Sequence, residues 1–301
     1  MKTSLIILLH FFVLTISAQN YIDIVNFSYA NTPLNNFENA SEKTKVEEFG
    51  LQLTFPVVLN EKTVILTGLS VNNSRVRLDR FIPNYTSLSK IRLQLGLNYV
   101  YSAKWTGTYV LLPALSSDFD IVSKEDFQIG FLSLFTYKKR ENLKYKIGVY
   151  ANSEKFGPLI SPLFGLYYIS LNKKFETNIL LPGQFDINYQ VLEKTVFGVN
   201  FDGMTSSYNL HGTIYSSEGE YVARSSSELY SYLQFQFGKS LYLKTKVGYS
   251  ISRTYKVFKN NDKVDLSLSS LYFDDNRTSL NNNFEKGAIF KVELLYRIQF
   301  K

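Results

Sequence analysis

Cysteine is absent from the 301-residue sequence. Its absence excludes a disulfide framework, a thiolate metal site and a lipid anchor carried on an N-terminal cysteine. Histidine is scarce as well, since only His10 and His211 occur. A metal centre or catalytic triad that depends on histidine therefore has few candidates. We expect no metal, no cofactor and no enzymatic activity.

Long apolar runs are also missing once the first twenty residues are set aside. Within them, the basic residue Lys2 precedes a mostly apolar stretch over 5–16, and the small residues Ser17 and Ala18 follow it. The stretch is too short for a membrane-spanning helix, which needs about 20 apolar residues. It is typical of a secretory signal peptide, so we expect residues 1–18 to be removed and residues 19–301 to form the exported domain.

Charge of one sign is not in large excess. The chain carries 33 Lys and Arg against 26 Asp and Glu, for a formal net charge of +7. The basic residues are spread along the chain, whereas a nucleic-acid-binding protein concentrates them on one face. We therefore expect no nucleic-acid partner.

Aromatic residues are abundant, with 24 Phe and 22 Tyr, yet the mean hydropathy is only −0.09. Such a chain must interleave apolar and polar residues. In the C-terminal segment, alternate positions are apolar or aromatic and most residues between them are polar. This period of two predicts a β-strand with one apolar face. The apolar positions are Phe290, Val292, Leu294, Tyr296, Ile298 and Phe300.

The same alternation recurs along the chain in segments of ten or more residues. Soluble strands average about five or six residues, whereas a tilted membrane strand needs roughly 9–11. Short polar connections are predicted at 59–62, 103–107, 138–142, 172–174, 192–194 and 238–240. Longer connections are predicted at 72–89, 116–125, 152–162, 203–221 and 255–286. Alternating short and long connections are typical of outer-membrane barrels, although the link at 181–184 is short where a long one is expected.

These observations predict an all-β fold, a transmembrane up-and-down antiparallel β-barrel of about 14 strands. The count becomes 12 or 16 if a weak segment is misread, and the doubtful segments are 175–192 and 264–273. A secreted β-sandwich explains a period of two equally well. Strand length, unequal connections and the aromatic residues near strand ends, such as Tyr99, Tyr101 and Tyr137, favour the barrel.

The chain resembles a known class of proteins in several segments: the signal ending in "SAQN", the early "YIDIVNFSYANTP", the alternating strands and the C-terminal phenylalanine. They resemble outer-membrane β-barrel proteins of Bacteroidota, and more narrowly one of their families built on a domain of unknown function. The resemblance implies a location in the outer membrane of a Gram-negative cell, contact with its lipid and insertion by the barrel assembly machinery. It brings no catalytic or ligand motif.

A hydrolase would need His211 as a base for a serine nucleophile, with a polar group to orient the ring. The nearest serines in sequence are Ser206, Ser207 and Ser216, but their spacing carries no signature. The acidic segment 274–276 lacks the alternating oxygen ligands of a calcium loop. We therefore predict no catalytic residues and no metal ligands.

If the apolar faces meet lipid, the charged residues of the opposite faces point into the lumen. Fourteen strands enclose more space than the roughly eight-stranded barrels that side chains fill, so we expect a lumen that is partly open or narrowed by a loop. Basic residues outnumber acidic ones among the candidates, which favours anions. Pairing of these charges within a closed lumen stays open as an alternative. The candidates are Arg92, Lys144, Lys146, Glu176, Glu228, Lys244, Lys246, Lys291, Glu293 and Arg297.

The function predicted from these features is a passive channel or uptake pore for small solutes, whose identity the sequence does not give. One alternative is a non-transporting structural or adhesion barrel whose outer loops bind a partner. Another, from a different class, is an outer-membrane hydrolase centred on His211. We also predict that the apolar stripe from Phe290 to Phe300 is the assembly signal and that its strand closes the barrel against the first strand.

Overall fold

The computed structural model describes residues 21–212, 215 and 219–299. The predicted signal peptide, Ser216 and Phe300 lie outside these described residues. A 3₁₀ turn occupies Lys124–Asp126. The strands are β1 (Tyr21–Asn36), β2 (Lys43–Asn60), β3 (Thr63–Val76), β4 (Thr86–Val100), β5 (Trp105–Ser117), β6 (Phe127–Arg140), β7 (Leu143–Glu154), β8 (Gly157–Ile169), β9 (Phe175–Leu181), β10 (Gln184–Leu192), β11 (Thr195–Leu210), β12 (Glu220–Phe237), β13 (Leu241–Lys259), β14 (Leu266–Leu268), β15 (Leu271–Phe273) and β16 (Ala288–Gln299).

Fourteen of these strands form a closed antiparallel barrel, and β14 and β15 form a short hairpin in the connection before β16. Each strand of the wall pairs with its neighbours in the chain, β8 pairs with β9, and β1 pairs with β16 along the seam. Closure matters because an open edge in lipid would leave backbone groups unsatisfied. The all-β fold and the count of 14 are confirmed for the residues that the structure describes.

The two doubtful segments are resolved differently. The segment 175–192 forms two wall strands, β9 and β10, whereas 264–273 contributes the β14–β15 hairpin, which belongs to a loop. One connection was predicted wrongly: 152–162 was read as a long loop, but β7 ends at Glu154 and β8 begins at Gly157. Polar residues at the loop-side ends of β7 and β8 gave the misleading signal.

The connections at one rim have two to five residues, and we call it the turn rim. The longer connections lie at the other rim, the loop rim, together with the two-residue β7–β8 and β9–β10 turns. The wall strands carry large apolar side chains outward around the barrel. Leu294 is 42% exposed, whereas its neighbour Leu295 is 2% exposed. Near the turn rim, Trp105 packs against Tyr137 with ring centroids 5.0 Å apart, and Tyr99 packs against Tyr101 at 5.0 Å. None of the helical segments in the described part of the chain is long and apolar enough to cross a membrane.

The loop-rim ends of β11, β12 and β13 turn into the barrel instead of continuing the wall. At the end of β11, Asn209 pairs in parallel with Ser117 of β5, a strand across the lumen. The carbonyl of Ser207 accepts hydrogen bonds from Ser116 Oγ at 2.6 Å and Gln128 Nε2 at 3.0 Å. Backbone groups of β11 that no longer pair in the wall are thus hydrogen-bonded inside the lumen, as buried backbone groups require.

We call the inward-turned ends of β11, β12 and β13 the inward ribbon. Two apolar clusters hold this ribbon in place and close the loop rim. The first packs β11–β13 against β2–β4 and nearby loops; it contains Phe37, Val46, Val76, Leu78, Leu88, Tyr208, Leu210, Val222, Tyr255, Val257 and Phe284. The second packs β12 and β13 against the β7–β8 turn; it contains Phe156, Leu159, Tyr221, Ala223, Phe258 and Val264. Burial of so many large side chains makes this closure a stable part of the fold.

Candidate functional site

The lumen is the place where the sequence predicts functional side chains. One side of it, formed by β10–β13, β16 and β1, carries charges of both signs. Lys246 Nζ lies 2.9 Å from Glu293 Oε1 and 3.9 Å from Asp202, and Lys291 Nζ lies 3.3 Å from Glu293 and 3.9 Å from Asp202. Two lysines and two carboxylates thus form one compact network.

Closer to the turn rim, the same side holds two further pairs. Lys244 Nζ lies 3.6 Å from Asp186. Arg297 donates two hydrogen bonds to Asp23, at 2.6 and 3.1 Å, and its guanidinium stacks 3.5 Å from the centre of the Tyr21 ring. We call this side the paired half; its charges are Lys244, Lys246, Lys291, Arg297, Asp23, Asp186, Asp202 and Glu293. Four cations face four acids, so their fields largely cancel.

The paired arrangement continues into the inward ribbon. Arg253 donates to Glu228, which also accepts a hydrogen bond of 2.5 Å from Tyr230 Oη. Arg224 lies 2.6 Å from Glu48. These buried pairs satisfy charges that would otherwise be costly in a closed space.

The opposite side of the lumen, formed by β2–β7 in the half near the turn rim, encloses a cavity of about 520 Å³. Its charged lining residues are Lys104, Lys138, Lys144, Lys146 and Glu61. Lys146 donates to Asn178 Oδ1 at 2.7 Å and forms no ion pair with a described residue. Lys144 Nζ lies 5.7 Å from the centre of the Tyr167 ring. Lys138 Nζ lies 3.0 Å from Glu141 Oε1 at the turn rim. We call this side the lysine half, because the lining of its cavity contains four lysines and one acid.

A second cavity, of about 460 Å³, lies nearer the loop rim and contains Arg92. Arg92 Nη2 donates to Tyr150 Oη at 3.4 Å, and its buried Nε has no hydrogen-bond partner in the part of the chain that the structure describes. The neighbouring Lys90 lies 3.6 Å from Glu154. Arg92 therefore differs from Lys90 in having no carboxylate partner among the described residues.

The structure thus places the predicted lumen residues in unequal settings. Lys244, Lys246, Lys291, Glu293 and Arg297 meet in the paired half, and Glu228 joins the ribbon. Lys144 and Lys146 line the lysine half, while Arg92 lines the second cavity. Glu176 has a buried Oε1 to which no described residue donates a hydrogen bond.

Sequence reasoning missed most of the acids that balance these cations: Asp23, Glu48, Glu154, Asp186 and Asp202. Asp202 lies two residues after the inward-facing Asn200 on β11. The period of two along a strand could therefore have shown that Asp202 also points into the lumen. Asp186 is likewise in phase with the polar positions of β10. Asp23 precedes a register shift between Asp23 and Val25, which hides its face in the sequence pattern.

The predicted assembly stripe lies on the outer surface of β16. Phe290, Val292, Leu294 and Tyr296 are between 42% and 49% exposed. Their strand pairs with β1 on one side and β13 on the other. The stripe therefore faces outward at the seam of the barrel.

The serines proposed as partners of His211 make other contacts. Lys90 Nζ donates to Ser206 Oγ at 2.5 Å, and Ser207 Oγ donates to Glu154 at 2.7 Å. Neither serine is hydrogen-bonded to His211. Both instead fasten the inward ribbon to the wall.

His211 has different neighbours, supplied by the β5–β6 connection. Its Nδ1 lies 2.7 Å from Asp118 Oδ1, and its Nε2 lies 3.4 Å from Ser123 Oγ and 3.3 Å from Asp126 Oδ1. Ser123 Oγ also accepts a hydrogen bond from the backbone N–H of Glu125. The order serine, histidine, aspartate is present, but a carboxylate faces each ring nitrogen.

The acidic loop segment before β16 is held by an arginine. Arg277 donates to both carboxylate oxygens of Asp275, at 2.8 and 3.0 Å, and these hydrogen bonds lower the pKa of Asp275. The guanidinium also stacks on Phe258 at 4.4 Å and Tyr272 at 4.7 Å. Within the described residues, no group of three or more His, Asp or Glu side chains is arranged to hold a metal ion.

Comparisons with known proteins agree with the barrel and go little further. A family profile described as "Domain of unknown function (DUF6268)" matches residues 14–297. No curated protein matches the chain.

Among solved structures, the chain is similar to an outer membrane channel from Pseudomonas putida F1, with 10% identity, coverage of 92% of this chain and 95% of that chain, and a TM-score of 0.47. It is also similar to the outer membrane phospholipase A from Escherichia coli, with 12% identity, 95% and 98% coverage and a TM-score of 0.38. The P. putida toluene transporter TodX has 11% identity, 93% and 91% coverage and a TM-score of 0.38. At these identities and TM-scores, the similarities carry no inference about what this chain does.

Proposed function

The chain belongs to the DUF6268 family, and from that premise and the lumen geometry we propose that it is a gated outer-membrane channel for small solutes that prefers anions. The observation that carries the proposal is the lysine half of the lumen. Lys138 is paired with Glu141 at the turn rim, which leaves three lysines and Glu61 to set the field of the cavity. This excess of positive charge attracts anions, and the low-dielectric wall strengthens the field.

The outer membrane is the proposed location because the outer surface of the barrel suits lipid. Large apolar side chains point outward on strand after strand, and aromatic pairs such as Trp105 and Tyr137 lie near the turn rim. Outer-membrane barrels place aromatic girdles at the interface in this way. A signal peptide over residues 1–18 and an origin in Bacteroidota stay predictions from the sequence.

Lipid and the barrel assembly machinery are the partners that follow from this location. The outward stripe of β16 would be the segment that the assembly machinery reads, and the β1–β16 pairing would be the last to close. The unboiled protein should migrate differently from the boiled protein on a gel. Release of the protein by carbonate would contradict integration in the membrane.

The closed loop rim implies that conduction requires movement of the ribbon or of the loop over it. Arg277 is the most suitable group to test, because it ties the loop before β16 to Phe258, Tyr272 and Asp275. Replacing Arg277 with Ala should loosen the loop without altering either lumen half. We therefore expect Arg277→Ala to increase the time that the channel spends open.

Reconstitution in planar bilayers tests the channel itself. The wild-type protein should give discrete conductance steps, and Arg277→Ala should give them more often. If neither protein conducts while both show heat-modifiable mobility, the barrel is structural or adhesive and its loops are the functional part. That result would remove the channel proposal.

Hydrolysis is a second candidate, because Ser123, His211 and Asp118 lie in the order of a triad. We propose instead that His211 is a latch between the β11–β12 and β5–β6 connections. A general base needs a free lone pair on the nitrogen that faces the serine, and Asp126 competes for that nitrogen. Phospholipid and ester hydrolysis by the wild type that disappears in both Ser123→Ala and His211→Ala would establish the enzyme and contradict the latch.

A further inference from the structure

The wall of the barrel is lower at β9 and β10 than elsewhere. These strands have seven and nine residues, whereas the other wall strands have 12 to 19. Seven residues at about 3.3 Å each, tilted by about 40°, rise roughly 18 Å. The apolar band of an outer-membrane barrel is about 25 Å tall. The β9–β10 hairpin therefore ends below the loop-side boundary of that band.

Above the hairpin, its two neighbours in the wall do not meet. β8 pairs with β9 only from Phe164 to Ile169, and β11 pairs with β10 only up to Asp202. The β14 strand covers β8 at Leu159 and Ile160, while β11 turns into the lumen. The turn of the β14–β15 hairpin also reaches Ser161, whose Oγ lies 2.9 Å from Ser269 Oγ. The stretch that is left without a strand partner lies between residues 162–163 of β8 and 203–205 of β11. We call it the wall gap.

The cavity that contains Arg92 extends into this gap. On the lumen side it is bounded by Arg92, Tyr150 and Leu132, and at the gap by Leu163 and Met204. Its floor is the β9–β10 turn at 182–183, where Gly203 N–H donates to the carbonyl of Gly183 at 2.7 Å. Met204 is 43% exposed within this arrangement. The cavity thus connects a cationic group in the lumen with an opening at the height of lipid.

Arg92 is the cation in this cavity that is available for a ligand. Lys90 is already engaged, with Glu154 at 3.6 Å and Ser206 Oγ at 2.5 Å. Within the described residues, the guanidinium of Arg92 has only the long hydrogen bond to Tyr150, and its buried Nε lacks a partner. Arg92 is half-buried, with Nε shielded from solvent. A partly desolvated guanidinium without a carboxylate beside it is stabilised when an anion binds it, and its planar fork suits a carboxylate.

We infer that this cavity binds a small amphipathic monocarboxylate, with the carboxylate on Arg92 and the apolar chain directed toward the wall gap along Leu132, Leu163 and Met204. The inference deepens the proposed channel function, on which it rests, by naming the class of solute. An entrance at lipid height gives such a molecule a route that avoids the closed loop rim.

Equilibrium binding of hexanoate to the full-length protein in non-ionic micelles, measured by isothermal titration calorimetry with empty micelles as the blank, tests the site. Wild type should bind hexanoate. Arg92→Gln should weaken binding roughly 10- to 100-fold, the usual range for a hydrogen bond to a charged group, and Arg92→Lys should retain more of it. Met204→Trp, which fills the cavity near the gap, should also weaken binding. Heat-modifiable mobility identifies the variants that fold.

Arg75→Gln is the matched control, because it removes the same charge from an exposed side chain that pairs with Glu47 at 3.7 Å and lines neither cavity. It should bind hexanoate as wild type does. Hexanol and gluconate, which lack the charge and the apolar chain respectively, should bind more weakly. No hexanoate binding by wild type, equal binding by Arg92→Gln, or equal binding of gluconate would overturn the inference. Those results leave bilayer conductance unaffected, whereas absent conductance with intact hexanoate binding would remove the channel and keep the site.

Discussion

The two halves of the lumen contain similar numbers of lysine and arginine residues but differ in what faces them. In the paired half, four cations lie against four acids, within 2.6 to 3.9 Å. In the lysine half, four lysines line the cavity with Glu61, and Glu141 pairs with one of them, Lys138. The paired half therefore stabilises the wall, whereas the lysine half carries the excess positive charge that would act on a solute in the proposed channel. The position of the acids, more than the number of cations, decides which half carries excess charge.

The largest effect should come from breaking the network in the paired half. Glu293→Gln leaves Asp202, at 3.9 Å from Lys246 and from Lys291, as the remaining carboxylate of the network. Removing one partner of a buried ion pair typically costs about 3–5 kcal/mol. We expect denaturant unfolding to show a loss of that order. Lys146→Gln in the lysine half should cost much less, and equal losses would contradict the distinction between the halves.

A charge on the lipid side should be the next most damaging change, because both halves keep their charges inward. Leu294→Arg puts a cation on the outward stripe of β16 and should cost about 2–4 kcal/mol near the midplane. Leu295→Arg puts the same cation on the inner face, so its membrane yield should be higher. The measurement is the amount of each variant in the outer-membrane fraction. Equal yields would mean that the two faces are assigned wrongly.

Removing one acid from the paired half should have a smaller effect, which appears in the ion selectivity of the channel. Asp202→Asn removes one acid but leaves Glu293 at 2.9 Å from Lys246 and 3.3 Å from Lys291. The paired half then carries a net positive charge, so the preference for anions should rise. Reversal potentials in a salt gradient report the change. A shift toward cations would contradict the assignment of Asp202 to the lumen.

Local periodicity was enough to predict the barrel, because the face of each residue follows from its phase along the strand. It separated Leu294 from Leu295 and implied the alternation of connections. It also predicted the short link at 181–184, although the consequence of that link for the wall could not be seen. A wall gap depends on how far β8 and β11 extend beyond the hairpin, and the inward turn of β11 depends on distant partners such as Ser116 and Gln128.

The chemistry of the lumen was less accessible from the sequence. A charged residue can be placed on the inner face by phase, but its partner lies on another strand at a register that one sequence does not give. Lys146 and Lys246 look alike in sequence, yet one faces Asn178 and the other Glu293. His211 shows the same limit, since Asp118 and Ser123 lie about ninety positions away in the chain.

The most direct test of the account compares two double variants in planar bilayers, by reversal potential across a salt gradient. Lys144→Gln with Lys146→Gln removes two charges from the lysine half and should shift the preference of the channel from anions toward cations. Lys244→Gln with Asp186→Asn removes a neutral pair from the paired half and should leave the preference close to that of wild type. Equal shifts in the two variants, or no shift in the first, would contradict the claim that the lysine half sets the selectivity.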